Sequence, residues 1–259
     1  MAGLSASALL VLALLGLAGG VGITALGPGG VLPTIGLFAL SGLSPSTIAG
    51  TAIVTHIGTG LLGSAVYLRS GQLREPLTRR TAVILCGSAV VGTPLGVLVN
   101  SAVSGRAFGI LLGVFVALVG VLVWWREYRL DARVNVNRQH PRHSTLMLAT
   151  LGVVIAAASG LFGIGGPMLT VPVLVACGVP VLSSLAAAQA QSVVIAGVGT
   201  LGYLAQGAVS WSLALLIGIP ELCGVLIGWK IAHAVPTHGL KYALVAALLA
   251  LAPYLALHG

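Results

Sequence analysis

Charge is what this sequence has least of. Of its 259 residues, 12 are Lys or Arg and 4 are Asp or Glu, while 58% are hydrophobic. So few charges cannot solvate the surface of a soluble domain of this size. The first charged residue is Arg69, and residues 144–220 contain none. Apolar runs of that length are read as membrane-spanning segments, so the chain is expected to be an integral membrane protein. No Lys or Arg precedes the first run. That predicts a retained membrane helix and not a cleaved signal.

Other absences narrow the function. Cys86, Cys177 and Cys223 fall in apolar segments without a CxxC pair, which predicts no disulfide and no metal cluster. Aromatics make up 5% of the chain and few stand beside basic residues. The net charge of +8 is therefore read as the positive-inside bias and not as a nucleic-acid surface. GxSxG and HExxH motifs are missing. His56 with Ser159 or Ser192 makes a serine-enzyme pair only on paper, so an intramembrane enzyme is disfavoured. A core with one acid and no Met or His cluster also disfavours a cation or metal permease.

What is abundant is glycine and proline in the wrong place for a continuous helix. The run GIGGPMLTVP occupies 163–172, and GPGGVLPT occupies 27–34. Such runs break a helix at membrane depth, which is tolerated only inside protein or along a cavity. Two broken segments at corresponding places in two halves point to a transporter's binding site. Apolar segments are predicted at 4–26, 31–40, 45–68, 81–99 and 108–125, then at 145–162, 168–177, 181–205, 213–234 and 242–257. The second and seventh are too short to cross a bilayer, which takes about 20 residues. Ser44 and Pro45 read as N-cap and first residue of the third.

The two sets overlay at a constant shift of 136 positions, which pairs Gly27 with Gly163, Gly29 with Gly165, Gly30 with Gly166, Thr34 with Thr170, Gly42 with Gly178, Gly63 with Gly199 and Tyr67 with Tyr203. This predicts an internal duplication, with repeats at 1–125 and 143–259 joined by a basic segment at 126–142. Arg69, Arg74, Arg79 and Arg80 lie in one loop, and Arg126, Arg129, Arg133, Arg138 and Arg142 in another two spans later. Both are assigned to the cytoplasm. Inverted repeats leave only Arg106 outside. Parallel repeats leave Arg106, Lys230 and Lys241 there, so inversion is favoured. The expected fold is an all-α polytopic membrane protein of two inverted helical repeats, each with a Gly/Pro-broken helix and a short half-helix, with the N-terminus outside. Whether the first helix of each repeat spans or is re-entrant is left open.

A helix N-terminus offers unpaired N–H groups and about half a positive charge, and glycine lets an anion approach closely. Two short helices start after Gly29-Gly30 and after Gly165-Gly166. In an inverted repeat their N-termini can meet near the midplane and hold an anion without Lys or Arg. The bland alternative is that these glycines serve close helix packing. Thr51, Thr55, His56 and Thr59 share one helix face of the following span. Gln189, Gln191 and Ser192 occupy the matching region of the second half. These side chains either donate to an oxyanion or bond neighbouring helices. Among them Thr55, His56, Gln191 and Ser192 are the candidate substrate ligands. Glu221 is the only acid well inside a predicted span. It is a candidate for proton coupling, or it pairs with His56.

The run GLFGIGGPMLTVPVL at 160–174 resembles the signature of the TauE/SafE sulfite exporter family, and GPGGVLPTIGLFAL is a degenerate first copy that departs at Pro28 and Pro33. The resemblance covers nearly the whole chain. It implies two repeats of about four membrane helices and the export of sulfite or other small sulfur-containing anions, including organosulfonates. The resulting expectation is a secondary exporter at the cytoplasmic membrane, with a passive anion channel as the alternative. Its partners are a small anion and the lipid bilayer, with no nucleic acid and no cofactor. Formation of a homo-oligomer is left open.

Overall fold

The computed structural model describes residues 4–25, 27–131 and 143–234. Among these, all regular structure is helical: α1 (Ala6–Ala25), α2 (Leu32–Ser41), α3 (Pro45–Arg69), α4 (Pro76–Ser101), α5 (Gly105–Asp131), α6 (Thr145–Phe162), α7 (Pro167–Ala176), α8 (Val181–Ala205) and α9 (Trp211–Ala234). Seven of them are long and apolar enough to cross a membrane; α2 and α7 are not. The chain is a multi-pass helical membrane protein. Its outward surface agrees, because Leu98, Leu118, Val154, Leu201 and Leu215 are each at least 60% exposed. Such a surface is stable against hydrocarbon, not water.

Local chemistry sets the ends. Ser44 caps α3 by accepting from the Thr47 N–H, with Pro45 in the first turn, as the sequence predicts. Gly42 ends α2 at φ 60°. Two boundaries differ from expectation. α4 begins at Pro76 and not near 81, and α5 runs on to Asp131. Proline at a first turn and arginines at a membrane edge both continue a helix that hydropathy alone cuts short. The predicted span at 242–257 and residues 132–142 of the basic segment lie outside the described residues.

The correspondence between halves extends into backbone geometry. The described glycines with positive φ are Gly27, Gly42, Gly71, Gly163, Gly178 and Gly207. Each of the first three stands 136 positions before one of the last three. The bounds of α3 and α8 differ by the same shift at both ends. So does a tertiary hydrogen bond. The Tyr67 hydroxyl donates to the Thr24 carbonyl at 3.3 Å, and the Tyr203 hydroxyl donates to the Gly160 carbonyl at 2.7 Å. Both rings are fully buried. Replacing Tyr203 by Phe strands the Gly160 carbonyl and is expected to cost about 1 kcal/mol, with a smaller loss for Tyr67→Phe at its longer bond. Thermal unfolding of the purified variants checks this; equal midpoints for both variants and the parent would show that neither hydroxyl matters.

Small residues let the helices approach closely. On α1, Gly16 abuts Ile217, Gly20 abuts Glu221 and Gly228 of α9 abuts Thr24, so these two helices run parallel. On α4, Ser88, Gly92 and Gly96 meet Gly152, Val153 and Ala157 of α6 in the same order, again parallel. In contrast, Gly50, Gly60 and Gly63 of α3 meet Tyr203, Val193 and Gln189 of α8, so this pair runs antiparallel. The α3–α8 crossing is the centre of the bundle. The α1–α9 and α4–α6 pairs flank it, and the broken segments pass beside it.

Candidate functional site

The two glycine knots adopt related but unequal forms. At the first, Gly27 turns at φ 105° and a short 3-10 turn, Pro28–Val31, leads into α2. At the second, Gly163 ends α6 at φ 69°, and α7 starts directly at Pro167 after Gly166. Pro28 and Pro33, which stand where the second half has Ile164 and Leu169, explain the extra turn, because each fixes φ and removes a donor. The turn of the first knot packs against α7 and the end of α6. Gly27 packs on Pro167 and Val171, while the Thr34 hydroxyl reaches the Gly163 carbonyl at 3.5 Å.

His56 stands where the knots meet. A Cβ added to Gly30 would lie 3.3 Å from His56 Cε1, and one added to Gly165 would lie 3.3 Å from His56 Cγ and 2.8 Å from Ser192 Oγ. Ser192, 136 positions beyond His56, accepts from the Gly166 N–H at 3.3 Å. Gln191 accepts from the Thr170 hydroxyl at 2.5 Å. Glu221 completes the group, with its Oε1 3.2 Å from His56 Nδ1. The contact is close, but it lacks hydrogen-bond alignment. Among the described residues, neither His56 nitrogen and neither Glu221 oxygen has a hydrogen-bond partner, and the same holds for Gln191 Nε2 and both amide atoms of Gln189. All of these side chains are 0% exposed, and Ser192 is 2% exposed.

Thus Gly30, His56, Gly165, Gly166, Gln191, Ser192 and Glu221 come together. Two expected ligands face elsewhere. Gly29 is pressed against Gly19 and Gly22 of α1, so it serves close packing. The Thr55 hydroxyl donates to its own helix at the Ala52 carbonyl, 2.9 Å away, and its methyl side faces Gly218 of α9. Thr51, on the same face, instead accepts from the Ser210 N–H at 2.9 Å. One helix face can present its steps of three and four to two neighbours, which periodicity alone does not resolve. Thr170, which the sequence pattern does not mark as a candidate ligand, joins the group through Gln191. The signal was its pairing with Thr34 in the first turns of the two short helices.

Chemically, the site has one imidazole, one carboxyl group, two hydroxyls, one amide and a helix start, all buried. Buried polar atoms without partners are expensive and rare in native proteins. Here they converge from α3, α8 and α9 on the start of α7. A ligand with several acceptor oxygens could satisfy the amide, imidazole and backbone donors together.

The sequence matches the family model described as "Sulfite exporter TauE/SafE" over residues 12–255. The chain is 27% identical over 225 residues to "Probable membrane transporter protein YdhB" of Bacillus subtilis (strain 168), covering 85% of this chain and 88% of that protein. It is 26% identical over 210 residues to a "Probable membrane transporter protein" of Xylella fastidiosa (strain 9a5c), covering 80% of this chain and 77% of that one. A relative in Sinorhizobium fredii (strain NBRC 101917 / NGR234), "Probable membrane transporter protein y4hK", is 28% identical over 152 residues, or 58% of each chain. No solved structure matches. With its apolar spanning helices and a match that covers most of its length, the chain belongs to the TauE/SafE sulfite exporter family of membrane transporters.

Proposed function

We propose that the protein is a secondary exporter of small sulfur-containing oxyanions, of the sulfite or organosulfonate type, across the cytoplasmic membrane. The observation that carries this reading is the position of His56. It touches both glycine knots and lies 3.2 Å from Glu221. The oxyanion is held between the starts of the two short helices, with Gly165 and Gly166 offering N–H groups and His56, Gln191 and Ser192 offering side-chain donors. In the conformation described, Ser192 Oγ already takes the Gly166 N–H, so substrate competes for that donor. Glu221 repels an anion when ionised and not when protonated, which ties anion occupancy to proton uptake.

We further propose that residues 1–125 and 143–259 form an inverted duplication joined by a cytoplasmic segment at 126–142. The antiparallel approach of the equivalent helices α3 and α8 supports it, as does the parallel packing of α1 on α9 and of α4 on α6. α1 is of spanning length and the 3-10 turn with α2 returns the chain, so this pair begins and ends on one side. That gives an odd number of further crossings, puts the arginine loops in the cytoplasm and leaves the N-terminus outside. The closed site requires one helix pair to move against the central crossing during transport.

The test is uptake into proteoliposomes with sulfite, sulfate, organosulfonates and chloride, with and without a pH gradient. The expected result is flux of sulfur oxyanions that an imposed pH gradient accelerates. Flux that only follows the anion's own gradient would make the protein a passive anion channel, and no anion flux in any condition would overturn the reading. Glu221→Gln is expected to remove the response to the pH gradient. An unchanged pH profile in that variant would take Glu221 out of the mechanism.

A further inference from the structure

A second charged feature lies far from the knots, at the ends of α4 and α6. A groove of about 560 Å³ opens there, lined by Arg74, Pro76, Arg79, Arg80, Val83, Ile84 and Thr145. The two helices are parallel, so both N-termini, with their partial positive charge, lie at this end. Arg80 ties the floor together by donating to the His143 carbonyl at 3.1 Å and to Thr145 Oγ1 at 2.7 Å. Arg74 and Arg79 are exposed. The neighbouring carboxylate, Glu75, accepts from the hydroxyls of Thr78 and Ser183.

The packing of the fold does not call for these arginines. At the positions 136 further on, Ser210, Leu215 and Leu216 replace Arg74, Arg79 and Arg80, and α9 still packs on α1 as α4 packs on α6. The positive-inside bias explains charge on this side of the membrane. It does not explain three guanidinium groups converging on one concave surface between two spanning helices. The other wall is apolar and turned to hydrocarbon. Val83 is 64% exposed. One turn further, Gly87 is exposed and, among the described residues, has nothing within 4 Å of where a Cβ would lie, so an open trough continues along α4.

We propose that this groove binds the headgroup of an anionic phospholipid. The phosphate sits between Arg74, Arg79 and the two helix starts, and an acyl chain lies along Val83 and Gly87. Guanidinium groups match phosphate oxygens in geometry and charge, and basic pockets between spanning helices hold such headgroups. The trough selects a lipid over a water-borne phosphate, because only a lipid brings an apolar chain to cover it.

The test is retention of lipid by the purified full-length protein from mixed phosphatidylglycerol and phosphatidylcholine, counted by native mass spectrometry. The parent is expected to retain phosphatidylglycerol selectively. The Arg74→Gln/Arg79→Gln variant, which keeps the Arg80 ties, is expected to lose that selectivity by about twenty-five-fold, at about fivefold per basic side chain. Its thermal midpoint should match the parent's. The control Arg133→Gln/Arg138→Gln/Arg142→Gln is expected to retain phosphatidylglycerol. Selectivity that survives in the groove variant, or is lost only in the control, would overturn the proposal. So would displacement of the lipid by inorganic phosphate, which would mark a site for free anion.

Discussion

Gly165→Val is expected to abolish anion flux while the protein still folds and inserts. The added side chain would meet Ser192 Oγ at 2.8 Å and the His56 ring at 3.3 Å. Both neighbours are side-chain atoms and not main chain, so the backbone is not displaced. Their donors are, and each charge-assisted hydrogen bond denied to an anion costs about 1.5–3 kcal/mol. Losing two lowers flux by about a hundredfold or more. The informative contrast is Gly163→Ala. Gly163 has φ 69°, and an added Cβ there would strike the Ala49 backbone, with its Cα closer than any tolerated contact. That variant is expected to fail to accumulate as folded protein, because L side chains rarely adopt this conformation and the neighbouring main chain cannot move aside. Size-exclusion profiles with proteoliposome flux separate the two outcomes. Normal transport by Gly165→Val would reduce the knot to a packing device.

The second large effect concerns the pair inside the bundle. His56→Ala leaves Glu221 as a fully buried acid with no charged neighbour among the described residues. Leaving a buried polar group without its neighbour costs about 1–3 kcal/mol. A clear fall in the thermal midpoint is therefore expected, together with loss of flux. His56→Leu/Glu221→Leu removes both polar groups and fills their volume. It is expected to recover most of the stability but none of the transport. A double-mutant cycle through the single variants His56→Leu and Glu221→Leu measures the coupling. If stability losses simply add, the two side chains are neighbours without an energetic link, and the anion-dependent role given to Glu221 loses its basis.

Much of the fold was legible as pattern. The bounds of α3, α6 and α8 follow from caps and from changes in hydropathy, and the shift of 136 positions was visible in the aligned glycines before any coordinates. Gly71 and Gly207 belong to the same series, but as isolated loop glycines they carried no signal until their φ angles of 93° and 65° were seen together. The ends of α4 and α5 were misplaced because a helix stops where its caps and donors fail, not where hydrophobicity does. The site was legible in part. Gly30, Gly165, Gly166, His56, Gln191 and Ser192 fall where the glycine breaks and the polar face predict, whereas Gly29 turns to α1 and Thr55 to α9. Both residues obey the same local pattern as their neighbours, and the difference lies only in which helix stands opposite.

By itself, then, the sequence determined the membrane class and the two broken segments, and it carries the match at a shift of 136 positions. Those depend on solvent transfer and on backbone chemistry, which are local and additive along the chain. Only the tertiary structure decided that His56 meets both knots, that Glu221 reaches it across 165 positions, and that α3 and α8 cross in opposite directions. Such contacts depend on how whole helices dock. That docking is set by the close approach of Gly20 to Glu221, of Gly63 to Gln189 and of Gly96 to Ala157, a property of pairs of surfaces and not of any single stretch of chain.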